Sequence, residues 1–256
     1  MASWSSRRKF TYGFIVVAGI VLIVGLPAFF LFYKAPSCSD GKQDQGEQGI
    51  DCGGPCKMLC QSAFLPPEVI WTKFEPVAPG LYNVAAYVVN NNLDGAAYNV
   101  PYEMQLFDSE GVLITVKDGS MTIPPNRNAL AFQGSISTEK RIPSKAIITL
   151  GSPQWIKETD ELGSLVIADK KYSEDQNSSS LEVTLQDNTV TSLDNLSVYV
   201  VLYDANGNAI DFSKTFINSV PANNGTVIAP FTWPVSHNGR VVSIEVLPVL
   251  EDQSAP

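Results

Sequence analysis

Hydrophobic residues are distributed along this chain in two different ways. From residue 10 to residue 33 the sequence FTYGFIVVAGIVLIVGLPAFFLFY carries no charged side chain. At about 1.5 Å of rise per residue, the stretch 13–33 spans roughly the 30 Å of a bilayer core. Tyr12 and Tyr33 fall where amphipathic rings favour the two interfaces. Pro27, costly in a soluble helix, is tolerated in a spanning one. The pattern therefore predicts a transmembrane helix over 13–33. Arg7, Arg8 and Lys9 precede it and Lys34 alone follows it, which places residues 1–12 in the cytoplasm and residues 34–256 outside. The run is too long for a signal-peptide core, and Phe29 to Tyr33 put bulky rings where a peptidase needs small ones. Ala35-Pro36-Ser37-Cys38 is a poor lipoprotein site. No Asp or Glu precedes Asp40, so the early acidic residue of a type IV pilin is missing. The reading is an uncleaved signal anchor.

From residue 65 onward the period changes. Short runs rich in Val, Ile, Tyr and Phe are cut by Gly, Pro, Asn and Asp. The strands predicted first are 71–74, 82–90, 100–107, 112–116, 120–123, 128–136 and 145–150. A second set follows at 181–186, 196–204, 209–216, 225–233 and 241–249. One landmark fixes a register between the sets. Leu106-Phe107-Asp108-Ser109-Glu110-Gly111 matches Leu202-Tyr203-Asp204-Ala205-Asn206-Gly207, each a strand entering an Asp-x-x-Gly turn. Pro124-Pro125-Asn126 has a looser counterpart in Pro221-Ala222-Asn223. The fold class expected is mainly β: a single N-terminal transmembrane helix, a disulfide-stapled loop module at 34–64, and two tandem immunoglobulin-like β-sandwiches at 65–151 and 164–256. Residues 152–163 are expected to be the linker.

Charge narrows the partners. Four basic residues flank the apolar run, leaving 13 of the 17 Lys and Arg against all 26 Asp and Glu. Nucleic acid demands a basic face, and this chain offers none. Anionic lipid headgroups are disfavoured for the same reason.

All four cysteines, Cys38, Cys52, Cys56 and Cys60, fall within CSDGKQDQGEQGIDCGGPCKMLC at 38–60. Outside the cytoplasm such a cluster reads as two disulfides, with three connectivities open. A structural zinc site is the alternative, although the spacing C-x13-C-x3-C-x3-C lacks separated C-x2-C knuckles. The C-x-x-C of a redox centre is absent. Asp40, Asp44, Glu47 and Asp51 recur at intervals of four, three and four among glycines. They stand as candidate calcium ligands or as solvated loop carboxylates, and the order of an EF-hand loop is missing.

Two resemblances add to this reading. Asp40-Gly41, Glu47-x-Gly49-Ile50-Asp51-Cys52-Gly53-Gly54-Pro55-Cys56 resembles a cysteine-glycine segment of prokaryotic cell-surface and secreted proteins. It implies a surface setting and a stapled juxtamembrane module. Asn90-x-x-Leu93-x-Gly95 with Val100, Leu106-Phe107-Asp108, Gly111 and Pro124-Pro125 resembles the small sandwich domains of the FxLYD type. That resemblance implies an extracytoplasmic immunoglobulin-like module of membrane-attached proteins and nothing catalytic.

Catalytic patterns are missing. G-x-S-x-G, H-E-x-x-H, the P-loop and G-x-G-x-x-G do not occur. His237, the one histidine, sits in the polar stretch Val235-Ser236-His237-Asn238-Gly239-Arg240 and is expected to be a solvated turn residue. Trp71, Trp155 and Trp233 are read as core rather than sugar platforms. The expected function is a non-catalytic, single-pass, extracytoplasmic structural or adhesive protein of the cell envelope with a protein or cell-surface partner. The alternative is an accessory subunit of a secretion, pilus or peptidoglycan-linked assembly.

Overall fold

The computed structural model describes residues 4–27, 37–60, 64–158 and 161–251. The chain divides into two units, residues 1–56 and residues 57–256. In the first unit, helix α1 (Trp4–Ile20) runs into a π-helical turn (Val21–Gly25). The apolar side chains of both segments, Phe10, Phe14 and Ile23 among them, are exposed. Of the span expected over 13–33, residues 13–27 are helical and 28–33 lie outside the described residues. No helix among the described residues is long and apolar enough to cross a membrane. α1 takes in the polar residues Ser5 to Lys9 before the apolar run begins, and that run continues into residues outside those described.

The second unit is built from strands. In chain order they are β1 (Glu68–Ala78), β2 (Leu81–Val89), β3 (Gly95–Phe107), β4 (Leu113–Ile123), β5 (Asn128–Ser137), β6 (Lys145–Leu150) and β7 (Ile156–Lys157). After a 3-10 turn (Glu161–Ser164) come β8 (Leu165–Glu174), β9 (Ser179–Asp187), β10 (Leu193–Tyr203), β11 (Ala209–Val220), β12 (Gly225–Trp233) and β13 (Ser243–Leu250). Among the described residues four sheets result, ordered β1-β2-β5, β4-β3-β6, β8-β9-β12 and β11-β10-β13, with β7 added to β3. The first six strands and the last six thus share one strand order.

Burial shows how the sheets stack. Along β2, Val84, Ala86 and Val88 join a core with Met104 and Leu106 of the facing sheet and Trp155. Along β10, Leu196, Val198, Val200 and Leu202 join a second core with Leu181, Val183 and Phe231. The residues between them do not face water. Ala85 and Tyr87 meet Tyr199, Val201 and Phe212 in a third core that joins the two halves. Sheets β1-β2-β5 and β11-β10-β13 are therefore covered on both faces. This explains why VAAYVV and VYVVLY are unbroken apolar runs and not alternating ones, as expected for a strand buried on both sides.

Several elements differ from the sequence expectation. The runs 112–116 and 120–123 are one strand, β4. Strand β8 has no counterpart among the predicted strands, because Asp169, Lys170 and Lys171 hide its pattern and its side chains are mostly exposed. Residues 152–163, expected as a linker, carry β7 and the fully buried Trp155. Met58 bridges to Ile156, and Leu59 N–H donates to the carbonyl of Trp155 at 2.9 Å. Phe64 stacks on the Trp155 ring with centroids 5.8 Å apart.

The seam between the halves also holds polar groups. Lys73 Nζ donates to the Ala209 carbonyl at 2.7 Å, and Tyr87 OH donates to Glu245 at 2.7 Å. Burial and the nearby Asp211 carboxylate push Glu75 up from 4.5 to about 7, against the pull of Lys73, Arg240 and His237. Because its folded pKa lies above its unfolded one, its stabilising contribution is complete below about pH 4.5 and lost as pH rises through about 7. Glu75→Gln should therefore raise the melting temperature at pH 8 and leave it unchanged at pH 4. The gain should be about 1–2 kcal/mol, since the group is only half-buried and solvent screens it. Equal melting shifts at both pH values would show that charge on Glu75 plays no part.

Candidate functional site

Two clusters of chemically capable side chains stand out. The first is the cysteine loop. Residues 38–56 form turns and bends, with a single bridge between Gly49 and Cys52. Cys38 is joined to Cys56 with Cα atoms 5.6 Å apart. Cys52 and Cys60 are disulfide-bonded as well, and no cysteine is free. The glycines are geometric necessities. Gly54 has φ +58° and a side chain there would sit 2.3 Å from the Gly46 carbonyl oxygen.

The loop carboxylates hold amides. Asp51 accepts from Asp40 N–H at 2.9 Å and from Gly41 N–H at 3.0 Å. Glu47, buried, accepts through Oε2 from Asp44 N–H at 3.3 Å and Asp51 N–H at 3.2 Å, and its Oε1 lies 3.1 Å from Cys56 Sγ. Asp40 Oδ1 accepts from Lys42 N–H at 2.9 Å. Asp44 Oδ1 is buried with no hydrogen-bond partner. The four candidate calcium ligands Asp40, Asp44, Glu47 and Asp51 are not drawn into one ligand set. Among the described residues, three ligand-type groups converge within 4.8 Å only at Cys38, Glu47 and Cys56, two of which are joined to each other. The loop's charges thus replace the backbone pairing that so short a segment cannot obtain from a sheet.

The second cluster corrects an expectation. His237 is not a solvated turn residue: it is 2 % exposed. Its Nε2 lies 2.9 Å from Asp211 Oδ2 on β11, and its Nδ1 lies 2.9 Å from both Ser179 Oγ on β9 and Tyr172 OH on β8. The turn is polar, as the sequence says, but Glu174 grips it. Glu174 Oε1 accepts from Ser236 Oγ and Asn238 N–H, and Oε2 from Gly239 N–H at 3.1 Å. The Ser236 hydroxyl and those amides hold the Glu174 carboxyl below its ordinary value. With the turn held from outside, the imidazole turns inward to meet Asp211, a buried carboxylate that needs a partner.

Serine, histidine and aspartate in contact invite a catalytic reading, but this serine is poorly placed for it. Ser179 is 3 % exposed and donates its hydroxyl to the Val235 carbonyl at 3.1 Å. A nucleophile needs an open approach and an unoccupied hydroxyl. Trp155 and Trp233 are buried, and Trp71 stacks between Tyr87 and Phe212 in the seam.

A third polar group centres on Asn90 and Asn92. Asn90 Nδ2 donates to the carbonyls of Gly95 and Pro124, both at 2.8 Å. Asn92 is paired with both backbone groups of Leu65 at 2.9 Å. These amides tie the entry of the β unit to the connection between β2 and β3. Within the Asn90-x-x-Leu93-x-Gly95 pattern, Asn90 is buried and Leu93 is exposed.

Comparisons with known proteins place no family on this chain. No family model matches it, and no curated protein matches it either. Among solved structures it is similar to a transglutaminase from red sea bream, at 13 % identity and a TM-score of 0.23, covering 72 % of this chain and 31 % of that one. It is also similar to dimeric latent PorU from Porphyromonas gingivalis, at 10 % identity and a TM-score of 0.22, covering 76 % and 20 %. A carbohydrate-binding module of the β-sandwich superfamily shows 10 % identity and a TM-score of 0.14, covering 72 % and 95 %. The chain spans about a third or less of the first two. Likenesses this weak carry no argument about activity.

Proposed function

We propose that this chain is a membrane-anchored, extracytoplasmic structural or adhesive protein of the cell envelope, with no catalytic role. The observation that carries the reading is the disulfide-bonded cysteine loop set directly after a charge-free apolar run. Disulfides persist in oxidising compartments outside the cytoplasm, and the run supplies the means of attachment. In this reading the apolar stretch 13–33 acts as one span, its exposed side chains facing lipid, and the acidic β unit stands in the aqueous phase. Two copies of one immunoglobulin-like sandwich make up that unit. Their shared strand order supports this, as do their third-to-fourth-strand turns. In one, Asp108 accepts from Glu110 and Val112 N–H, and Gly111 N–H donates back at 3.1 Å. In the other, Asp204 accepts from Asn206 and Asn208 N–H, and Gly207 N–H donates back at 3.1 Å.

Topology is tested by intact mass and protease protection in sealed vesicles. The expected result is a retained N-terminus, with the β unit cleaved only from the extracytoplasmic side. A mature protein starting after Tyr33 would overturn the anchor. Peptide mapping without reduction should recover a fragment joining Cys38 to Cys56, and four thiols that alkylate without reductant would remove the support for an oxidising compartment. We further propose that the loop carboxylates serve as amide acceptors. The unpartnered Asp44 Oδ1 favours a second reading, a calcium site. Adding calcium should leave the melting temperature unchanged, whereas a shift lost in Asp44→Asn establishes the cation.

A further inference from the structure

Apart from the two-residue β7, the four sheets formed by the described residues end in eight edge strands: β1, β5, β4, β6, β8, β12, β11 and β13. An open edge presents unpaired N–H and C=O groups, and proteins block such edges with charges, prolines and bulges. Seven of the eight are blocked in this way. β1 carries Lys73, Glu75, Pro76 and two register shifts, and β4 carries Lys117, Asp118 and two shifts. β8 has Asp169, Lys170, Lys171 and a shift, and β5 has a shift beside Ser135 at φ +53°. β11 contains Asp211 and Lys214, β12 Pro230, and β13 Glu245 and Pro248.

Strand β6, KAIITL, is the exception. After Lys145 at its first position it has no charge and no proline. Its register against β3 is unbroken from Phe107↔Lys145 to Tyr102↔Leu150, and among the described strands it pairs with β3 alone. Ala146, Ile148 and Leu150 pack against the core, so Ile147 and Thr149 lie on the outer face.

We propose that the free edge of β6 is an interface for a second copy of this chain, which pairs through its own β6 across a two-fold axis. The strand is complementary to itself in that arrangement. A perpendicular axis through Ile148 sets inward residues against inward ones: Ile148 faces its copy, and small Ala146 faces large Leu150. On the outer face Ile147 meets Thr149, and Lys145 meets Gly151, so no like charges are opposed. Both sheets then continue as one, β4-β3-β6 running into its mate. A foreign strand would need to reproduce this match, whereas a second copy supplies it by symmetry.

The test is the oligomeric state of the full chain in detergent, followed by sedimentation across a hundredfold concentration series. Dimers are expected at the upper end. Ile147→Lys and Thr149→Lys each give β6 the kind of charge that five of its seven counterparts carry, and each should weaken association at least tenfold while the melting temperature of the dilute monomer stays unchanged. Hydrogen exchange on the unaltered chain supplies a readout independent of any variant's folding: β6 amides should exchange more slowly in the dimer than on dilution. A chain that stays monomeric throughout overturns the proposal. So does a dimer that both variants leave intact, as pairing through the apolar helix would, and so do β6 amides that exchange equally fast at both concentrations.

Discussion

Replacing His237 with alanine is expected to lower folding stability by about 3–5 kcal/mol, the cost of leaving a buried carboxyl group without its hydrogen-bond partner. The side chains of His237 and Asp211 are 3 % and 7 % exposed and 2.9 Å apart. Deleting the ring strands the Asp211 carboxylate in the interior and leaves the Ser179 and Tyr172 hydroxyls without their common partner. Denaturant unfolding of the full chain measures this as a lower midpoint. Asp211→Asn should cost less than His237→Ala, because a neutral amide is cheaper to bury than an unpaired carboxylate. A histidine that was solvated, as its polar flanking sequence suggests, would change stability by less than about 0.5 kcal/mol on substitution.

Phe212→Ala is expected to cost about 3–5 kcal/mol and to act on the seam in particular. Phe212 is fully buried, stacked on Trp71 with centroids 6.2 Å apart and edge-on to Phe132 at 6.3 Å. Both partner rings belong to the first half, while Phe212 belongs to the second. The cavity would therefore open between the halves and leave the cores centred on Met104 and Leu202 intact. Calorimetry should show one transition in the native chain splitting into two in the variant. A single transition at a uniformly lower temperature would mean that the halves depend on each other for more than the seam.

Neither effect is visible in a list of residues. His237 and Phe212 lie in segments whose local character is plain, a polar turn and a β-rich run, and local character carries most of the element assignments. Strand β6 coincides with its predicted range of 145–150, and Asp108 and Asp204 each lead the Asp-x-x-Gly turn their sequence requires. Strand β8 is hidden because a strand exposed along most of its length has no apolar face to betray it. β7 is hidden because two residues are too short for any period. The cysteine loop is legible in its glycines and disulfide-bonded cysteines. The work done by its carboxylates is not, because spacing says where an oxygen sits along the chain and nothing about which amide it will meet.

The sequence by itself determined the mainly β character, the turn positions, the disulfide-bonded cysteines and the acidic balance. Each of these follows from steric preference, solvation or covalent chemistry within a few residues. Only the tertiary structure decided that Tyr87, Tyr199 and Phe212 form a third core, that Glu174 holds the turn from which His237 points inward, and that β6 pairs with β3 in an unbroken register. Those outcomes depend on which surfaces meet after the chain has doubled back, over 62 residues between Glu174 and Ser236 and over more than a hundred between Tyr87 and Tyr199. A side chain's burial and its partner are properties of that meeting, set by the total apolar area and polar pairing the fold can satisfy at once.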